Sequence, residues 1–272
     1  VISNPPATGN IYWHLPAAGF SFTDVEHASA ELAEHSHARP SLNLILSGMY
    51  AEDCSGYQGD FPAGSLLFKP ANAEYVNRAT PTKSRSLIIE VTSDAGRQAG
   101  FEAYERPWQR FYPPMTSLTQ RLFCELTISD SDSRLGVESL CREVFSLGQE
   151  GAVRTGHKPR TGHKPRWLPA VEDRLSLLDR SPPTLTELAD LAGVCPTHLA
   201  RAFRKHTAAT PGEYLRARRI AFVLDRLIAA APVDGAELAA RAGFADQSHM
   251  IRTFRRATGR TPAALRASLS RR

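Results

Sequence analysis

The feature that most limits what this chain can fold into is a repeat near its carboxyl end. "LADLAGVCPTHLARAFRKHTAATP" (188–211) and "LAARAGFADQSHMIRTFRRATGRTP" (238–262) are two versions of one pattern. Leu188, Ala189, Ala192 and Gly193 match Leu238, Ala239, Ala242 and Gly243 at an offset of 50. After the glycine one residue is inserted. His198, Leu199, Arg201, Phe203, Arg204, Thr207 and Pro211 then match His249, Met250, Arg252, Phe254, Arg255, Thr258 and Pro262 at an offset of 51. A repeated frame of this length demands one structural unit used twice.

Each unit reads as two helices around a tight turn. Thr184 precedes "LTELADLAG" with Glu187 three residues on, the spacing of a capping box. Leu185, Leu188 and Ala192 would line the buried face, and Gly193 would end the helix, where a left-handed residue costs little. Pro196 suits the first position of the next helix. That helix would bury Leu199 and Phe203 and turn Thr197, Arg201 and Arg204/Lys205 outward. In the second unit Asp234 and Asp246 are the expected caps, with Met250 and Phe254 inward. Small alanines at 189, 192, 239 and 242 allow a close helix crossing, so the pattern is that of a helix-turn-helix. Between the units, "PGEYLRARRIAFVLDRLIAA" (211–230) is one long helical pattern. It would span about 28 Å at 1.5 Å per residue, near the ~34 Å between major grooves on one face of B-DNA.

Charge supports a polyanionic partner for the rear. Residues 1–150 hold 11 Lys/Arg against 18 Asp/Glu, a net of −7. Residues 167–272 hold 17 against 10, a net of +7. This asymmetry implies two modules with different partners.

The rear residues resemble the AraC/XylS family of bacterial transcription regulators over about 170–269. Gly243–Pro262 carries that family's G-F-x-D-x-S-x-[FM]-x-R-x-F-[KR]-x-x-x-G-x-[ST]-P run. The resemblance implies that Thr197, His198 and Arg201, with Gln247, Ser248, His249 and Arg252, face DNA bases. Arg204, Lys205, Arg255 and Arg256 are the expected phosphate contacts. The sequence departs from the family in two places: Cys195 stands where a Ser usually caps, and "TAAT" (207–210) lacks the usual Gly.

The front half reads as β. "SLNLILSGMY" (41–50), "GSLLFKPA" (64–71) and "SRSLIIEVT" (84–92) are short apolar runs, with turns at "PAG" (62–64) and "KPANA" (69–73). "EHSHARPSLNLILSGMY" and "PAGSLLFKPANAEYVNRA" resemble the two cupin motifs over roughly 20–110. An effector pocket in that barrel would draw on His35, His37, Arg39, Tyr50, Lys69 and Tyr75. The H-x-H pair at His35 and His37 raises a metal-enzyme alternative, a cupin enzyme with an appended DNA-binding domain. No third ligand follows at the family spacing, since 41–43 are Ser-Leu-Asn and Tyr75 stands where the second motif keeps His. The expectation is therefore no metal, no cofactor and no catalysis.

The fold class expected is α+β in two domains. Residues 1–150 form a cupin-like sensor and dimerisation domain, with a barrel over about 20–112 and a helical pair over about 115–149. Residues 151–167 form a basic linker containing the doubled hexapeptide "TGHKPRTGHKPR". Residues 168–272 form the all-α DNA-binding domain, with helix-turn-helix units over about 184–207 and 234–258 and the joining helix over about 211–230. The apolar stripes at Leu118/Leu122/Leu126 and Leu140/Val144/Leu147 either cover an edge of the barrel or pair with a second subunit. Four scattered cysteines and an amino end without a basic, apolar leader lead to an expected cytoplasmic, nucleoid-associated setting without a membrane. The expected partners are double-stranded DNA, a small-molecule effector and RNA polymerase.

Overall fold

The structure, a computed structural model, describes residues 9–17, 19–54, 57–92, 108–127, 133–155, 165–229 and 234–271. The strands are β1 (Gly9–Ala17), β2 (Phe20–His27), β3 (Leu32–His35), β4 (Ser41–Ser47), β5 (Met49–Cys54), β6 (Tyr57–Pro62), β7 (Leu66–Lys69), β8 (Tyr75–Asn77), β9 (Ser84–Val91) and β10 (Trp108–Arg110). The helices are α1 (Pro113–Leu126), α2 (Ser133–Thr155), α3 (Leu168–Ser176), α4 (Leu185–Ala192), α5 (Pro196–Thr207), α6 (Pro211–Ile228), α7 (Gly235–Arg241), α8 (Gln247–Thr258) and α9 (Pro262–Leu269). Most of the doubled hexapeptide, residues 156–164, lies outside the described residues.

The α+β class stands, but the closed barrel does not. Among the described residues the strands make a six-stranded sheet, ordered β1-β2-β9-β4-β7-β10, and a four-stranded sheet, ordered β3-β8-β5-β6. The long pairs are antiparallel, as in β2 with β9 from Phe20↔Val91 to His27↔Ser84. β3 and β8 have only four and three residues, too few to carry the ladder round into a ring. The chain passes from one sheet to the other at Gly48, whose φ of 72° suits glycine. A side chain there would strike the backbone of Lys83.

β4 is buried along its whole length, and its alternation sorts two cores. Ile45 joins Tyr50, Phe61 and Leu67 in a small cluster between the sheets. Leu42, Leu44 and Leu46 point the other way and join a large core. That core runs from Phe20, Phe22, Leu87 and Ile89 of the sheet, through Leu122 and Phe123 of α1, to Val223 and Leu224 of α6. It continues into Leu238, Met250 and Phe254 of the second helix-turn-helix unit. The first unit has a core of its own, built on Val171, Leu175, Leu188, Leu199, Phe203 and Tyr214.

The helical pair expected over 115–149 forms as α1 and α2 and reaches Thr155, so helix continues into the expected linker. Its apolar faces are used within the chain. Met115, Leu122, Phe123 and Leu126 of α1, and Val137, Leu140, Val144 and Phe145 of α2, all belong to the large core. A second subunit would have to use other surfaces of this segment. Polar contacts fasten the seam between front and rear. Gly48 N–H donates to Asp225 Oδ1 of α6 at 2.9 Å, and Arg260 pairs with Glu125 of α1 at 3.6 Å. Burial raises the Asp225 carboxyl above its ordinary pKa, against the pull of the Gly48 N–H and Arg226.

The shared core yields a prediction. Leu224→Ala should cost about 2–5 kcal/mol and loosen sheet and second unit together. Leu188→Ala, in the separate core, should cost a similar ~2–5 kcal/mol but act on the first unit. Segment-resolved hydrogen exchange checks this: the first variant should lose protection in β4 and α8, the second in α3, α4 and α5.

Candidate nucleic-acid interface

The two units are assembled by the local rules the sequence carries. Thr184 accepts from Glu187 N–H while the Glu187 carboxylate reaches back, a complete capping box. Its hydrogen bonds to Thr184 hold the Glu187 carboxyl below the ordinary range. Gly193 ends α4 in the left-handed region at φ 65°, and Gly243 makes the corresponding turn at φ 76°. Asp234 caps α7, and Asp246 caps α8 by accepting from His249 N–H at 2.6 Å. A second capping box, Thr210 with Glu213, starts α6 and was not anticipated from the sequence. Its signal was the T-x-x-E spacing at 210–213.

The two family departures have visible effects. Cys195 makes no side-chain cap for α5. Its exposed thiol is held below its ordinary pKa by a hydrogen bond to Thr197 and by the His198 N–H. Ala208 ends α5 at φ 56°, the left-handed position that Gly259 takes at the end of α8 with φ 79°. A non-glycine residue held there costs roughly 1 kcal/mol or more. One packing expectation is corrected: Leu185 is 40% exposed, and the buried face of α4 is Leu188 with Ala189. In a helix of eight residues, Leu185 falls at the open first turn.

Helices α5 and α8 bury what was expected, Leu199 and Phe203 in α5 and Met250 and Phe254 in α8. Thr197, His198, Arg201, Arg204 and Lys205 are exposed on α5. On α8, Gln247, Ser248, Arg252, Arg255 and Arg256 are exposed. His249 differs: it is half-buried and set edge-on to Phe244 at 5.4 Å between ring centroids. The first unit has Val194 where the second has Phe244, so His198 has no such ring to lean on. Gln247 folds back over Gly235 at the start of α7. Among the described residues, none of Arg201, Arg204, Lys205, Arg252, Arg255 and Arg256 has a carboxylate within 4.0 Å. Arg204 lies near enough to Glu213 to help lower its carboxyl, and the other five cations stand without a paired carboxylate, on two helices joined by α6, 18 residues and about 27 Å long.

In the front domain, Tyr50, Lys69 and Tyr75 do come together, around two residues not anticipated from the sequence. Glu52 is fully buried and accepts from Tyr50 Oη at 2.7 Å, from Asn77 Nδ2 at 3.2 Å and from Lys69 Nζ. Lys69 lies over the Tyr75 ring at 3.6 Å. Burial pushes the Lys69 ammonium down from its ordinary pKa and the Tyr50 hydroxyl up. His35 and His37 pack against Tyr75, with ring centroids 4.4 and 5.7 Å from it. Arg39 is exposed. The gap beside Tyr50 and Asn77 is only about 30 Å³, the share of one water. Tyr75 also borders an open depression lined by Glu34, Asp53 and Glu74. Among the described residues, no group of three or more His, Cys, Asp or Glu is placed to hold a metal. No helix among them is long and apolar enough to cross a membrane.

Two helix-turn-helix units on one linking helix, each presenting a cationic face, define a protein of the double helix-turn-helix class. A family model described as a helix-turn-helix domain matches residues 188–268. The HTH-type transcriptional regulator GlxA of Rhizobium meliloti (strain 1021) is 34% identical over 97 residues, covering 36% of this chain and 30% of that relative's length. The likeness is confined to the helix-turn-helix domain, and the chain spans less than a third of that relative's length. Among solved structures, the DNA-binding domain of AdpA in complex with a target DNA is similar at 30% identity, covering 39% of this chain and 96% of that one, with a TM-score of 0.36. ToxT from Vibrio cholerae O395 is similar over 93% of this chain and 98% of its own, at 10% identity and a TM-score of 0.39.

Two partly buried histidines make stability depend on pH. Burial, then the Lys69 ammonium, lowers both His27 and His37 to about 4. The unfolded rings take a proton near ~6.5. Stability is therefore complete above that value and is lost as the pH falls toward the folded pKa of about 4. The loss should be on the order of 1–2 kcal/mol per ring, given partial exposure. His27→Phe should flatten the acid side of a melting-temperature profile. Glu52→Gln, which leaves Lys69 buried without its counter-charge, should cost about 3–5 kcal/mol in urea unfolding.

Proposed function

We propose that this protein is a sequence-specific DNA-binding transcription regulator. In this reading α5 and α8 enter successive major grooves on one face of the duplex. The observation that carries it is the pair of reading helices, each with an exposed polar start and unneutralised cations, set at the two ends of α6. Thr197, His198 and Arg201, with Gln247, Ser248 and Arg252, are the base-reading group. Arg fits guanine in a bidentate way, and Gln fits adenine. His249, lying against Phe244, serves better to fix the start of α8 than to reach a base. Arg204, Lys205, Arg255 and Arg256 grip phosphate, where contacts set register and salt dependence.

The front domain, a cupin-like fold opened into two sheets, serves in this reading as the sensor for a small molecule. RNA polymerase is the partner through which the bound protein acts, in the cytoplasm at the nucleoid. Dimerisation would use the outer surfaces of 115–149.

The test is selection of bound sequences from random DNA by the full chain, which should return a site with two half-elements about one helical turn apart. Arg252→Ala should cost about 1–3 kcal/mol and relax preference at one position. Arg256→Ala should weaken all sequences alike and reduce the slope of log K against log salt by about 1. Equal loss for all sequences in both variants would remove the base-reading role of Arg252.

A further inference from the structure

Corresponding glycines of the two repeats stand in different surroundings. Gly193 and Gly243 both take left-handed backbone, with φ of 65° and 76°. A side chain on Gly193 would meet nothing within 4 Å. One on Gly243 would strike the Leu178 carbonyl oxygen and stand 2.8 Å from that of Asp179. The turn of the second unit is therefore pressed against the loop that follows α3, which belongs to the first unit. Leu178 packs on the first unit's core. Its φ of 57° is a strained value for a bulky residue, kept only where the surroundings over-determine it.

Arg219 of α6 closes this junction. One terminal N–H₂ donates to the Asp179 carbonyl oxygen at 3.0 Å. Its guanidinium also lies 5.6 Å from the centre of the Phe244 ring, within cation–π range. Phe244 is buried and meets His249, in the first turn of α8, edge-on. On the other side the Asp179 carboxylate holds Arg174 of α3 at 2.6 Å. Contact thus runs from α3 through Arg219 to the start of α8. Each unit is held to α6 by its own core, the first through Tyr214 and Leu215 and the second through Val223, Leu224 and Leu227. The junction at Arg219 is where the one unit meets the other.

We propose that Arg219 is a positioning residue that clamps the Leu178–Asp179 loop to the Gly243–Phe244 turn and so fixes how α5 is turned relative to α8. The inference rests on the reading that both helices enter DNA grooves. The length of α6 sets how far apart the two helices stand, and the clamp sets their angle about the α6 axis. The duplex winds roughly 35° with each base pair, so that angle decides which spacing of half-elements the chain accepts. Arg219 needs to touch neither base nor phosphate for this.

The test has two measurements on the full chain. In the first, Lys205→Cys and Arg255→Cys carry spin labels, with Cys54→Ser and Cys195→Ser removing the thiols that are not buried. Without DNA this background should give one narrow distance between α5 and α8, and Gly193→Ala should keep it. Gly243→Ala carries the same left-handed strain but displaces the loop, so it should shift or broaden the distance. Arg219→Gln should broaden it, and Arg219→Lys, which keeps the charge without the planar fork, should do so in part. In the second, the selected DNA site is lengthened by one base pair between its half-elements. The unaltered chain should lose about tenfold or more in affinity. Arg219→Gln should lose clearly less and keep its base preference within each half-element, whereas a merely structural loss would weaken both sites alike. The proposal is overturned if Arg219→Gln leaves the distance narrow and unmoved, if Gly193→Ala broadens it as much as Gly243→Ala, or if Arg219→Gln keeps the full spacing penalty. Should Arg219→Gln fail to fold, Arg219→Lys and Gly243→Ala decide by the same readings. If the unaltered chain selects no DNA, the regulator reading fails, while the distances still decide the clamp.

Discussion

The burial of α6 on two sides at once is the constraint on which the rest of the structure depends. Its amino-terminal part gives Tyr214 and Leu215 to the core of the first helix-turn-helix unit. Its later turns give Ile220, Val223, Leu224, Leu227 and Ile228 to the core shared by the sheet and the second unit. A helix with so much of its circumference covered cannot rotate or slide without opening one core or the other. The capping box at Thr210 and the Asp225 contact to Gly48 pin it near both ends. The spacing of α5 and α8 is therefore set by the length of one rigid helix.

This arrangement makes the two halves of the DNA-binding domain unequal. The second unit rests on α1, with Met250, Phe254 and Ala257 set in the large core. Opening that contact would expose apolar surface on both sides, at about 25 cal/mol for each Å². The first unit touches the front domain mainly around Phe111, whose ring meets Tyr214 at 4.9 Å. Beside that contact lies a cleft instead of close packing. Movement within the chain is thus cheapest at the first unit.

The interior of the front domain shows why motif likeness alone is a weak guide to a pocket. Positions that resemble cupin motifs are present, yet Lys69 is consumed by Glu52, and Tyr75 is covered by Lys69 and the two histidines. A buried ion pair of this kind contributes little net stability, but loss of either partner is costly. Its effect is to fix which strands pair around β5 and β8, since Tyr50, Glu52 and Asn77 come from those two strands.

Local chemistry was legible where it acts over a few residues. The turns at Gly64 and Asn72, the caps at Thr184, Asp234 and Asp246, and the inward set Leu199, Phe203, Met250 and Phe254 follow from spacing and residue type. So does the missing glycine at Ala208, since the repeat itself marks the position. Leu185 and His249 were less legible, because their surroundings depend on helix length and on a ring at 244. By itself the sequence determined the two repeated units, the helix between them and the cations they present, since helix periodicity and capping are local properties of the chain. Only the tertiary structure decided that the sheets stay open, that α1 covers the second unit, and that Glu52 and Lys69 meet. Each of those depends on side chains far apart in sequence competing for the same buried space, which no local pattern records.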